Sequence, residues 1–275
     1  MKSTEILRAL LAMILASSAT LHAGPYAPAA GQVGSTAISF DDPAIDAWAS
    51  SVVELNRGPL NIANPSLGFA SFGTAGNAIG PAGTNTTAVV SLGDGGSITL
   101  AFAQPIRNGA GFDLAVFENS FADEFLELAF VEVSSNGVDF FRFSSVSLTQ
   151  TSTQVAGFGS LDPTNLFNLA GKYRVGYGTP FDLQELAGIS PLLNVDQVGF
   201  VRIVDVIGTI NPTFARIDSL GNVINEPYAT SFASGGFDLD GVAALHVVPE
   251  VNAGILVALA AAGLVGVSLR RSRHQ

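Results

Sequence analysis

The 275-residue chain has no cysteine, three histidines, one tryptophan and few charges, 13% in all. The lack of cysteine removes disulfides, thiolate metal sites and thiol nucleophiles in one step. His22 and His274 lie in terminal segments of special composition, which leaves His246 as the one histidine of the central region and excludes a multi-histidine metal site there. A Ser-His-Asp triad would have to use His246, and strand alternation places it with Val242 and Ala244, which favours a packing role. Positive charge is scarce as well. Twelve Lys and Arg against 23 Asp and Glu give a net charge of −11, and without clustered cations a nucleic-acid partner is excluded. No phosphate loop, nucleophile elbow or dinucleotide fingerprint occurs.

The two ends carry addresses. Residues 1–23 run from Lys2 and Arg8 through the apolar stretch Ala9 to Ala16 into the small residues Ser17, Ser18, Ala19 and Ala23, which reads as a secretory signal peptide. Cleavage after Ala19 or after Ala23 fits the small-residue rule, and Ala23 is the preferred position. At the other end, Ala253 to Leu269 is uncharged, about 26 Å as a helix, and Val251 and Asn252 extend it to a transmembrane helix over 251–269. Arg270, Arg271 and Arg273 then follow, and the positive-inside rule leaves them in the cytoplasm with the body outside.

Pro249-Glu250, the apolar span and the arginine tip together resemble the PEP-CTERM sorting signal of Gram-negative surface proteins, with Val251 standing where that family usually has a second proline. The resemblance covers residues 249–275. It implies processing by an exosortase-type protease and a setting at the cell surface or in an exopolysaccharide matrix. The body, residues 24–248, is an exported domain; with Pro249 and Glu250 its charge is near −15, and such a charge favours cations and solubility over adhesion to anionic polymers.

Short β-branched and aromatic runs recur through that body: Ala88 to Leu92, Ser97 to Phe102, Phe112 to Phe117, Leu128 to Ser134, Val138 to Phe143, Val198 to Val206 and Val242 to Val248. Punctuated by Gly, Asn, Asp and Pro, they predict an all-β sandwich. Asn136-Gly137 predicts a hairpin with a type I′ turn between Val131 and Phe141. Asp42-Pro43 predicts a short helix with Ile45, Trp48, Val52 and Leu55 on one face, Asp182 and Glu185 have capping-box spacing, and 58–96 reads as a long surface excursion. Leu92 to Phe102, Asn108 to Asn119, Val131 to Phe141, Gly171 to Asp182, Val201 to Asp205 and Gly235 to Asp240 resemble a group of bacterial secreted cell-surface proteins. The Val131 to Gly137 hairpin and the Phe200 to Ile203 strand resemble galactose-binding-like jelly rolls, which implies a jelly-roll-type β-sandwich with short helices.

Carboxylates are the abundant functional group. Hard oxygen ligands suit calcium, and Asp113, Glu118, Asp238 and Asp240 are the candidate ligands, Asp238 and Asp240 alternating onto one strand face. Simple loop capping, or pairing of such acids with Arg107, Arg142 or Arg202, is the structural alternative. Tyr173, Arg174 and Tyr177, in a Gly-rich segment, are the candidate glycan contacts. The expected role is a non-catalytic, surface-anchored structural or carbohydrate-associated protein; the competing class is a secreted carbohydrate-active enzyme using paired carboxylates drawn from Asp113, Glu118, Asp123, Glu124, Glu127, Glu132, Asp238 and Asp240. A binding module would show strand-end acids with an aromatic platform, an enzyme two acids across a cleft, and a protein-interaction domain an exposed apolar patch.

Overall fold

A computed structural model describes residues 24–250. The expected signal peptide (1–23) and the expected span and arginine tip (251–275) lie outside the described residues. The described chain forms β1 (Ile38–Ser39), β2 (Ala47–Trp48), β3 (Ser51–Asn56), β4 (Val90–Ser91), β5 (Ser97–Ile106), β6 (Leu114–Glu118), β7 (Ala129–Ser134), β8 (Phe141–Arg142), β9 (Val146–Ser147), β10 (Leu166–Phe167), β11 (Tyr177–Phe181), β12 (Val198–Asp205) and β13 (Asp238–Ala244). Four short 3-10 turns are the helical content of the described residues. The fold is all-β.

Two antiparallel sheets dominate. One has the order β1-β11-β6-β13-β2 with β4 also on β13; the other has the order β3-β5-β12-β7-β8. Alternation on each strand sends one set of side chains into a common core: Ile98, Leu100 and Phe102 from β5, Leu114 and Val116 from β6, Val131 and Val133 from β7, Val201 and Ile203 from β12, and Leu239, Val242 and Ala244 from β13. Leu239 and Val242 both face inward although three residues apart. A register irregularity between Leu239 and Gly241 inserts the extra residue that resets the phase.

The outer faces are covered as well. Ala115, Phe117 and Ala243 pack beneath Ile38, Phe40, Ile45 and Trp48, while Phe130, Val204 and Val206 pack beneath Leu161, Leu166, Leu169 and Ile224. Strands β6, β7 and β13 are therefore buried along their whole length. This explains why their sequences read as nearly continuous apolar runs, since no face had to be polar.

Three local expectations are corrected. No helix follows Asp42-Pro43: Asp42 Oδ1 accepts from Ala44 N at 2.8 Å, which closes a turn, and Ala47–Trp48 and Ser51–Asn56 continue as strands. Their β-branched and aromatic residues gain more by joining the sheet edges than by a single helical face. The hairpin between β7 and β8 forms, with Glu132 opposite Arg142 and Val133 opposite Phe141, but 135–140 make a longer loop instead of a two-residue turn. There Asn136 Oδ1 accepts from Val138 N and Asp139 N, each at 2.9 Å, and Gly137 alone has positive φ, +75°. Asp182 does cap its 3-10 turn at Gln184 N, 2.8 Å, but Glu185 turns away to Asn168 Nδ2 at 2.6 Å, so the box is half-made.

The excursion 58–96 carries two 3-10 turns and returns to the sheet as β4, and it is pinned at its root. Arg57 donates through Nη1 to Phe72 O at 2.9 Å and Ser91 O at 2.7 Å, and through Nη2 to Gly73 O at 2.7 Å. One guanidinium thus ties three carbonyls together, Phe72 O also accepting from Ser91 N at 3.2 Å.

Candidate functional site

The inward phase of three strands ends in a carboxylate at the same end of the sandwich. Glu118 follows Leu114 and Val116 on β6, Asp205 follows Val201 and Ile203 on β12, and Glu127 precedes Ala129, Val131 and Val133 on β7 by the same two-residue step. Asp205 accepts from Gly95 N through Oδ2 and from Phe237 N through Oδ1, both at 2.7 Å. Glu226 joins the group and accepts from Leu128 N at 2.5 Å. Asp94, with Ile62 N at 2.7 Å on its Oδ2, lies beside Asp205.

Burial and mutual repulsion both disfavour ionisation here. Glu118 is raised well above the usual carboxylate range by burial and then by Asp238. Glu127, Asp205 and Glu226 are likewise pushed well up, burial being the main cause in each, with Glu118 next for Glu127 and Asp205 next for Glu226. Asp94, Asp238 and Asp240 are pushed up to about 6, again by burial first.

A cavity of about 240 Å³ opens onto this end, lined by Glu127, Asp238, Asn119, Thr86, Thr230 and Ser234 together with four phenylalanines. Phe121 and Phe125 stack with centroids 4.6 Å apart, Phe125 and Phe158 lie at 5.9 Å, and Phe158 and Phe232 at 5.7 Å. Phe121, Phe158 and Phe232 are 67%, 70% and 50% exposed. They come from three separate loops, so their assembly into one rim is a product of the fold. The result is an acid-floored pocket with an apolar, aromatic lip.

The predicted calcium ligands divide. Glu118, Asp238 and Asp240 fall at the pocket end, Leu239 pairing with Glu118 across β13 and β6. Asp238 accepts from Asn119 Nδ2 at 3.2 Å and from Ser91 Oγ, and Asp240 Oδ2 accepts from Gly83 N at 2.9 Å. Asp113 precedes the opposite end of β6 and is satisfied there by Gly109 N and Leu183 N, both at 2.7 Å, and by His246 Nδ1 at 2.9 Å. It belongs to a loop-fastening cluster. None of the four candidates pairs with Arg107, Arg142 or Arg202: Arg142 and Arg202 meet Glu132 instead, at 2.7 Å and 2.5 Å, and Arg107 donates to Val247 O and Asn108 O. Among the described residues no three carboxylate or imidazole side chains converge on one point.

The predicted glycan contacts lie elsewhere. Tyr173 is 1% exposed and its hydroxyl meets Thr36 Oγ1 at 2.9 Å, so its ring serves the interior. Arg174 is tied to Asp123 and to Ala30 O, its guanidinium 4.8 Å from the Tyr177 ring centroid. Sequence reasoning missed the four phenylalanines and grouped Glu127 only among generic acids. No protein-family model matches the chain, and no curated protein matches it.

Proposed function

We propose that this is an exported, surface-anchored, non-catalytic protein, a jelly-roll-type module that binds or organises carbohydrate in the cell envelope or exopolysaccharide matrix. The observation that carries the binding reading is the four-phenylalanine lip over the acid-floored pocket, an apolar platform beside convergent polar groups. Its position supports the same reading. Strand β13 leaves the pocket at Asp238 and runs about 20 Å to Ala244 before the chain reaches Pro249 and Glu250. A membrane helix beyond Glu250 would therefore hold the pocket away from the bilayer, facing the matrix.

Incubation of the protein with bacterial and plant polysaccharides, following both retention and new reducing ends, tests this. Retention without cleavage is expected, weakened at least tenfold in Phe158→Ala, whose exposed ring can be removed at little cost to the core. Cleavage would favour the second reading, a carbohydrate-active enzyme, for which Glu127 and Asp238, both lining the pocket, are the candidate pair of carboxylates. Silence on both counts removes the carbohydrate role.

The surroundings of Gly24 support processing after Ala23. Gly24 N donates to Thr164 Oγ1 at 2.5 Å, and that hydroxyl donates to Asp162 Oδ1 at 2.7 Å. A Cβ on Gly24 would lie 2.2 Å from Thr164 O, so only glycine fits. Cleavage there would place a new ammonium on a hydroxyl already polarised by a carboxylate. N-terminal sequencing of the exported protein is expected to begin at Gly24; a start at Thr20 would point to the other site.

A further inference from the structure

The pocket end gathers carboxylates with little countercharge: Arg216 acts on Asp205 and Arg57 on Asp238, while Glu118, Glu127 and Glu226 face other acids. The four ion pairs among the described residues use Glu132 twice, Asp123 and Asp113, and none of Glu118, Glu127, Asp205 or Glu226. Leaving a buried ion uncompensated costs several kcal/mol. Glu118 carries the sharper sign. It is 1% exposed, its Oε2 accepts from Ser120 N at 2.7 Å, and its Oε1 has no hydrogen-bond partner. Strand alternation aims it into the space between the sheets that Glu127 and Asp205 also face. Asn119 follows, its Nδ2 committed to Thr86 O at 2.8 Å and Asp238 Oδ2 at 3.2 Å, so Oδ1 is the atom left to accept. Everything offered here is oxygen.

We propose that this end of the sandwich binds one calcium ion, with Glu118 and Glu127 as its charged ligands, Asn119 Oδ1, Thr230 and water from the pocket completing the shell, and Asp238 orienting Asn119. Two carboxylates among amide, hydroxyl and water oxygens match the irregular six-to-eight-oxygen shell of calcium, whereas magnesium demands a stricter octahedron. The ion supplies the positive charge that the sequence does not, and it ties β6 to the segment entering β7 across the two sheets. Entry is through the pocket mouth. The inference does not rest on the carbohydrate reading.

The test uses the full-length protein in detergent, stripped with a chelator and then titrated with calcium chloride, following metal content, calorimetric binding and melting temperature. One calcium per chain is expected, with a melting temperature at least 10 °C higher than in chelator. Glu118→Gln is expected to abolish the calcium response, and Asn119→Ala to weaken binding at least tenfold, while Glu132→Gln, on the arginine-paired face, leaves it intact. Should Glu118→Gln fail to fold, Asn119→Ala decides. Absence of bound calcium with equal melting in chelator and millimolar calcium overturns the proposal and leaves protons as what the carboxylates hold. A calcium response that survives both Glu118→Gln and Asn119→Ala also overturns it, because the ion then sits elsewhere.

Discussion

With divalent cations chelated, the protein is expected to melt at its highest temperature near pH 4 to 5 and to lose stability steadily as the pH rises toward 7, the reverse of ordinary acid denaturation. The sign follows from the buried acids. Asp94, Asp238 and Asp240 titrate at about 6 in the folded protein because burial penalises their charged forms, against an ordinary aspartate value of 3.8. Between those values the folded state binds more protons than the unfolded one, so stability is present below the unfolded pKa and is lost as pH rises through the folded pKa. One unit is about 1.4 kcal/mol, which bounds Asp238 at about 3 kcal/mol. Asp94 and Asp240, nearer solvent, contribute less. Burial pushes Glu118, Glu127, Asp205 and Glu226 well up too, so they add to the loss in the same direction. Asp218 works the other way below pH 4: against partial burial, hydrogen bonds from Ser147 N and Asn222 hold it below the usual range. Thermal melts across pH 3.5 to 8 in chelator check this, and a melting temperature that rises monotonically toward pH 7 would falsify it.

The core strands were legible for two reasons: Ala129–Ser134 is buried on both faces and reads as an unbroken apolar run, whereas Ser97–Ile106 and Val198–Asp205 keep one half-exposed face and read by their β-branched and aromatic content. Strands β4 and β8 lie within the runs Ala88 to Leu92 and Val138 to Phe143, whereas the two-residue strands β1, β9 and β10 and the pair after Asp42 escaped. Their pairing energy comes from distant partners, Trp48 with Ala243 and Val52 with Leu100, and leaves little local trace. Tyr177–Phe181 was hidden for another reason: its Gly178 and Pro180 read as loop, yet a Cβ at Gly178 would sit 2.7 Å from the Phe117 ring, so glycine is what lets that strand lie against β6.

The site was half legible. Alternation assigned Asp238 and Asp240 to one strand face, but it could not say which end of a strand meets which, so Asp113 was grouped with acids that lie at the other end of β6. The signal that would have found the remaining acids is phase. A carboxylate occupies the next inward position after the aliphatic run on β6 and β12, at 118 and 205, and the one before it on β7, at 127. An acid where the core pattern demands an aliphatic is a local conflict, and such conflicts mark functional or strained positions. The phenylalanine lip had no comparable trace, because Phe121, Phe158 and Phe232 converge only through tertiary loop placement.

Gly171→Ala is expected to be the most damaging single-methyl change near the pocket, lowering stability by about 3 kcal/mol or more. Gly171 has φ of +81°, a conformation in which a side chain is strained before any neighbour is considered. A Cβ added there would lie 1.8 Å from Glu127 O and 3.0 Å from the Phe237 ring, so the backbone that positions Glu127 has to move. The adjacent bridge, Ala129 N to Ala170 O at 3.1 Å and Ala170 N to Ala129 O at 2.9 Å, resists that movement. Gly188→Ala, also at positive φ, +76°, but with open space around it, separates strain from collision and is expected to cost about 1 kcal/mol. Equal losses in urea denaturation of the two variants would show that the approach to Glu127 is not tight. A much larger loss for Gly171→Ala, accompanied by a weakened response to calcium, would tie the packing of this glycine to the geometry of the carboxylate beside it.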